Sequence, residues 1–322
     1  MSDLETKPSS YVCTTAAPGG PEELVLTARR VYLGRTTEVA RVLPDRQIRM
    51  IGAWCFLDHY GPEDVTATAG MQVWAHPHTG LQTVSWLFAG AIEHRDSVGS
   101  RVLVRPGELN LMTAGHGVVH TELSPDDRPP LLHGVQLWVA LPDAARDVAP
   151  GFVQHRDLPT FAGPGLSGTV LLGTVAGVAS PAATFTPLCG AELVLVAGAD
   201  VELPLRPDFE HGLLVVDGTA TIESTTTGVD ELVYLGTERA SVRLRSAEGS
   251  RLVLVGGAPF LEEIVMWWNF VGRSHDEVVA VRDAWERRTD RFPAVVDRAE
   301  RTLEAPPMPT VELRPRPRRR VR

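Results

Sequence analysis

Residues 76–83 read HPHTGLQT, and residues 116–123 read HGVVHTEL. The first segment sets His76 and His78 either side of a proline. The second sets His120 and Glu122 at the same spacing. In a β-strand alternate side chains share a face, so each pair turns both of its members to one side, about 6.6–7 Å apart along the chain. Two such strands laid side by side bring three imidazoles and one carboxylate together. Nitrogen and oxygen donors of this kind suit a divalent iron, manganese, nickel, copper or zinc ion at about 2.0–2.2 Å. Four protein ligands leave two positions of a six-coordinate ion for water, substrate or dioxygen. Pro77, which has no N–H to donate, belongs at a sheet edge or bulge, the rim of such a pocket.

The surrounding pattern says what kind of scaffold holds the pairs. From Gln82 onward short apolar runs alternate with turn residues: QTVSWLF, AG, AIEHRDS, VGS, RVLV, PGE, LNLMTA, GHG, VVHTEL. Strands at this spacing, punctuated by Gly, Pro and Ser, predict an antiparallel sandwich or barrel. LLHGVQLWVALP (131–142) reads as one more strand, stopped by proline. A second series follows in GTVLLGTVAGV, AELVLVAGADVELPL, HGLLVVDGTATIES, DELVYLG, SVRLRS and RLVLVGGAPF. LLVVDGTATIE in this half repeats the strand–Gly–strand plan of SWLFAGAIEHR in the first. The expectation is all-β: two antiparallel barrels with a shared plan, followed by a short helix. In SHDEVVAVRDAWERR, Ser274 and Glu277 form a capping box, and Val278, Val281 and Trp285 recur at helical spacing.

The boundaries read as a flexible N-terminal arm over 1–24, a metal-binding barrel over 25–145 and an inter-barrel crossing over 146–180. A metal-free barrel over 181–262, a helical segment over 263–290 and a Pro/Arg-rich tail over 291–322 complete the chain. Residues 303–322 carry too many prolines for a packed element.

Composition narrows the function classes. The 322 residues are 43% hydrophobic and 22% charged, an ordinary globular balance, and no stretch has the roughly 18 consecutive apolar residues of a membrane helix. Three widely spaced cysteines, Cys13, Cys55 and Cys189, make no framework of disulfides and fit free thiols in a reducing, cytoplasmic setting. The net charge is −9, and six arginines are concentrated in the last nine residues, RPRPRRRVR, so the body is more acidic than the total. An acidic body argues against general nucleic-acid binding, and the tail reads as a solvated terminus.

The remaining histidines carry less. His94, two residues before Asp96, reads as solvated on a polar strand face. His59, His155, His211 and His275 have no ligand spacing, and His133 on LLHGVQLW reads as a hydrogen-bonded core residue. His116, four residues before His120 in a Gly-flanked turn, is placed at the pocket mouth. Trp74 shares the parity of His76 and His78 and is expected to face inward if no bulge intervenes; Trp86, Phe88 and Met112 are ordinary core or pocket wall.

HPHTGLQTVSWLFAGAIEHRDSVGSRVLVRPGELNLMTAGHGVVHTE (76–122) resembles the signature region of the pirins, two-barrel members of the cupin superfamily. LLHGVQLWVALP and VMWWNFVGRSHDEVVAVRDAW (265–285) are similar to pirin segments too, and the resemblance spans about residues 25–290. It implies a bicupin in which His76, His78, His120 and Glu122 hold one metal, usually Fe(II), while the second barrel, with no HxH or HxE, holds none. It also implies one of two activities. Some relatives are quercetin 2,3-dioxygenases that open a flat polyphenol with O2; others are metal-dependent coregulators that bind a protein partner. In the first case Glu122 is both a ligand and a proton acceptor. Two departures stand out: Gln82 where the family commonly has glutamate, and His116 where it has arginine or another residue. Gln82 is expected beside the metal, as a neutral amide in place of a carboxylate.

Overall fold

The computed structural model describes residues 11–14, 20–33, 37–295, 301–314 and 316–317. The first barrel pairs a seven-stranded sheet with a four-stranded one. In the larger sheet, strands Trp54–Asp64, Leu131–Ala140 and Leu81–Ala89 lie side by side at the centre, flanked by Thr37–Leu43 and Leu109–Thr113. In the smaller sheet the order is Gln72–His78, Val118–Leu123, Ile92–Asp96, Arg101–Val104. Gln72–His78 is thus an edge strand, the position that tolerates Pro77. The second barrel is built on an eleven-stranded sheet whose centre is Leu188–Leu195, Ser250–Gly257 and Glu210–Ile222. The all-β architecture and, among the described residues, the single helix match the sequence pattern.

Strand Pro21–Thr27 and the C-terminal hairpin and helix each pack on the barrel farther away in sequence. Strand Pro21–Thr27 pairs with Glu231–Gly236 in the second barrel. The hairpin Ile264–Trp267/Phe270–Gly272 and the helix His275–Glu286 pack over the first barrel's smaller sheet, where Val271 N–H donates to Thr79 O at 3.0 Å. The capping box forms as read: Ser274 Oγ accepts from Glu277 N–H, and Val278, Val281 and Trp285 are buried.

Three boundaries differ from the expectation. The arm over 1–24 contains strand, at Tyr11–Thr14 beside Ile264–Trp267 and at Pro21–Thr27. The crossing over 146–180 is mostly strand as well: Gly151–His155 closes the first barrel, and Thr160–Gly163 and Leu166–Val175 open the second. Its Pro and Gly residues mark turns between short strands, and composition alone does not separate these from a linker. In the tail, Leu303, Ala305 and Leu313 are buried with Trp285 and Phe292 in one apolar cluster. Proline bars regular structure there without barring burial. Residues 318–322 of the arginine-rich end and the Cys13 side chain lie outside the described residues; Cys189 is a free, buried thiol, and Cys55 is buried with Sγ 3.7 Å from Trp138 O.

Candidate metal centre

His76, His78 and His120 converge. Their ring centroids stand 4.3–4.9 Å apart, and one donor nitrogen from each lies within 4.8 Å of the others. Strand pairing explains this, because His120 is the register partner of His76 and His78 lies two residues on, on the same face. Gly80 then lets the chain turn sharply after His78. Its φ is +70°, and a Cβ there would sit 2.1 Å from Val271 O, so only glycine fits under the C-terminal hairpin.

The rings fit a metal ion. All three are at most 1% exposed, and His76 Nε2, both ring nitrogens of His78, and His120 Nε2 are buried without a hydrogen-bond partner. Burial pushes His76 down to about 3 and holds His78 and His120 well below the ordinary histidine range, so all three stay neutral and keep a lone pair for a cation. Neighbouring groups also fix which nitrogen is offered. His76 Nδ1 donates to Trp74 O at 2.8 Å, leaving Nε2 free. His120 Nδ1 lies 3.4 Å from His94 Nδ1, and His94 Nε2 lies 3.1 Å from Asp96 Oδ2. Burial raises the Asp96 carboxyl, but the His94 hydrogen bond and the Ser100 N–H outweigh it and hold the group below its usual value. Asp96 therefore accepts a hydrogen bond from His94 Nε2–H, His94 Nδ1 accepts from His120 Nδ1–H, and His120 Nε2 is left to bind.

Glu122 is buried at the same end of the barrel, yet its oxygens are not among the donors that lie within 4.8 Å of one another. Burial raises its carboxyl above the usual range, against the pull of nearby Gln136 and Ser85, and Oε2 has no hydrogen-bond partner. Trp138 closes one side, edge-on to His78 at 5.2 Å and stacked on Phe56. The turn Trp268–Asn269 lies against the His78 ring, with Trp268 at a φ of +53°.

The structure places the three residues expected around the ion elsewhere. A bulge between the pairs His120–His76 and Glu122–Val73 resets the alternation, so Trp74 packs outside with Ala75 and Val119 under the Arg301 guanidinium. Gln82 pairs with Val139 and Thr113 on the opposite face of its strand from Thr83 and Ser85. Its amide donates to Thr113 Oγ1 at 3.0 Å and reaches Ala183 O of the second half at 3.4 Å. His116 is exposed, with Nδ1 3.2 Å from Val148 O. The reverse correction applies to His94, which is buried and stacked on Phe152 at 4.3 Å. His94–Asp96 has the same i, i+2 spacing as His76–His78 and His120–Glu122, and that was the available signal. His133 is a core residue as expected, bonded to His59 at 2.9 Å.

Similar proteins carry the same plan. The Pirin family model matches residues 36–139, and the model of the Pirin C-terminal cupin domain matches residues 190–292. A Pseudomonas aeruginosa protein provisionally named quercetin 2,3-dioxygenase is 46% identical, over 88% of this chain and 90% of its own. A Pirin-like protein of Caulobacter vibrioides is 34% identical, over 84% of this chain and 95% of its own. The crystal structure of a quercetin 2,3-dioxygenase from Acinetobacter baumannii superposes with a TM-score of 0.87 at 41% identity, covering 90% of this chain and 96% of that one. Two barrels, a three-histidine centre in the first and relatives matched over nearly their whole length lead to one conclusion: the chain belongs to the pirin family.

Proposed function

We propose that the protein is a metal-dependent dioxygenase that opens the central ring of a flavonol such as quercetin, with one Fe(II) held by His76, His78, His120 and Glu122. The observation that carries the reading is the set of buried, neutral imidazoles whose free nitrogens converge with no protein partner. The names of the similar Pseudomonas and Acinetobacter proteins supply the substrate class. A bound divalent transition ion supplies Lewis acidity toward the flavonol 3-hydroxyl and 4-carbonyl and a redox centre for dioxygen.

This chain's residues do the rest. Glu122, with its carboxyl raised by burial, is the group placed to take the 3-hydroxyl proton, which leaves the flavonol ring electron-rich. Trp138 and Phe56 form an apolar wall against which a flat ring packs and from which bulk water is excluded. Overall, flavonol and O2 give a depside and carbon monoxide, with both dioxygen atoms retained in the depside.

One observation favours a second reading, a metal- or redox-dependent coregulator that binds a protein partner. All three histidines are at most 1% exposed, and the Asn269 backbone lies against His78, so a flavonol needs the packing around the rings to open. Oxygen consumption and carbon monoxide release on mixing quercetin with the iron-loaded protein separate the two. Turnover lost in His76→Ala supports the enzyme, whereas no oxidation with any divalent metal supports the coregulator.

A further inference from the structure

The first barrel's interior holds polar groups that the three histidines leave unsatisfied. Across its central strands Tyr60 pairs with Gly134, and Gln136 pairs with both Asp58 and Ser85. Register partners share a face, and side chains two apart on a strand do too, so Tyr60, Gln136 and Ser85 look onto one interior. That interior contains Glu122: Gln136 and Ser85 both act on its carboxyl, and the Glu122 charge in turn acts on Tyr60. Gly134 makes the room, since a Cβ there would stand 2.7 Å from the Tyr60 hydroxyl oxygen.

Tyr60 Oη, Gln136 Nε2 and Glu122 Oε2 are buried without a hydrogen-bond partner, in side chains 2%, 2% and 4% exposed. Ser85 Oγ donates to Gln136 Oε1 at 2.7 Å, which turns the amide N–H2 away from Ser85 and toward the Glu122 carboxyl, whose proton affinity it lowers without closing a hydrogen bond of ordinary length. A core gains nothing from such groups, because a buried donor without an acceptor destabilises the fold. Phenylalanine at position 60 would fill the same space without that penalty. Two donors and one acceptor on a single wall match a ligand that carries a carbonyl oxygen beside a hydroxyl.

We propose that Tyr60, Gln136 and Glu122 form an oxygen-reading wall for a vicinal hydroxy-carbonyl substrate. Tyr60 Oη and Gln136 Nε2 donate to its carbonyl oxygen, and Glu122 Oε2 accepts from its hydroxyl. The assignment rests on the oxygenase reading of this site and extends its substrate class to 3-hydroxy-4-pyranones, which share the oxygen pattern of a flavonol on a smaller ring. Tyr60 and Gln136 set specificity here.

The test uses the full chain loaded with metal and 3-hydroxy-2-methyl-4-pyranone as the probe. Calorimetry should find it bound about tenfold more weakly by Tyr60→Phe and by Gln136→Met, with metal content unchanged in both. In urea, metal-free Tyr60→Phe should be as stable as the parent or more so, because the hydroxyl it loses has no partner. Unaltered pyranone affinity in Tyr60→Phe would overturn the proposal. So would a destabilised Tyr60→Phe, which would mean that the hydroxyl serves the fold, or a parent protein that does not bind the pyranone. Pyranone binding that weakens as expected in a protein without flavonol turnover would refute the oxygenase reading and sustain the wall. Quercetin turnover with pyranone affinity indifferent to both substitutions would do the opposite.

Discussion

Single residues decide how the ion is held, and here alternation along a strand proves a good guide with a known failure. The convergence of His76, His78 and His120 was legible because i, i+2 spacing depends only on the strand's own geometry, whereas Glu122 is buried nearby but lies outside that set of donors. Gln82 was misplaced because nothing in LQTVSWLFA says which face meets the second barrel; the bond from its amide to Ala183 O settles that only in three dimensions. Trp74 was misplaced by one extra residue in its strand. His94 was undervalued because its value lies in a neighbouring strand. By orienting His120, the His94–Asp96 pair should strengthen metal binding: His94→Ala is expected to lower affinity about 10- to 100-fold, read by competition with a chromophoric chelator, while the chain stays folded. Equal affinity in the variant would remove His94 from the metal centre. Glu122→Gln keeps the shape and an oxygen donor but loses the basic site. Metal should remain while flavonol turnover falls by about 10²- to 10⁴-fold, and full turnover would make Glu122 dispensable as a base.

At the scale of strands and helices, local chemistry was easier to read than chain path. The helix announced itself through Ser274, Glu277 and its apolar spacing, all within one segment. The exchange of chain ends did not, because Pro21–Thr27 looks like any short strand and its partner, Glu231–Gly236, lies some two hundred residues on. Pro-rich segments around 146–180 and after 300 were read as loose, whereas the structure buries Leu303 and Leu313 between prolines. In the second barrel, the strand Glu210–Ile222 carries a buried histidine with no partner at Nδ1. Burial pushes His211 from 6.5 down to about 4. Between those values the unfolded chain takes up a proton that the folded chain refuses. Stability from this group is therefore complete above about pH 6.5 and falls as the pH drops through about 4. His133, also lowered to about 4, acts in the same direction. Urea midpoints of the metal-free protein should therefore decline from pH 7 to pH 4, and His211→Leu should make that decline shallower. An unchanged slope in the variant would mean that the ring is not held neutral.

In the whole molecule, two barrels of one plan have diverged: the first carries the donors, and the second buttresses it. Trp54 of the first donates through Nε1 to Cys189 O and Gly256 O of the second, both at 3.1 Å, and Trp86 donates to Glu192 at 2.8 Å. These contacts press the second barrel against the back of the sheet whose other face lines the metal centre. The sequence disclosed the asymmetry, since HxH occurs in the first barrel and the second barrel over 181–262 has neither HxH nor HxE, but not the packing that makes the second half a support. The central claim is that one ion is held by the histidines of the first barrel. It is tested most directly by elemental analysis of purified, metal-reconstituted protein beside His76→Ala and His120→Ala variants, with circular dichroism to establish that each is folded. The expected result is about one transition metal per parent chain and essentially none in either folded variant. Two tightly bound ions per chain, or a full complement in a folded His76→Ala or His120→Ala protein, would contradict it.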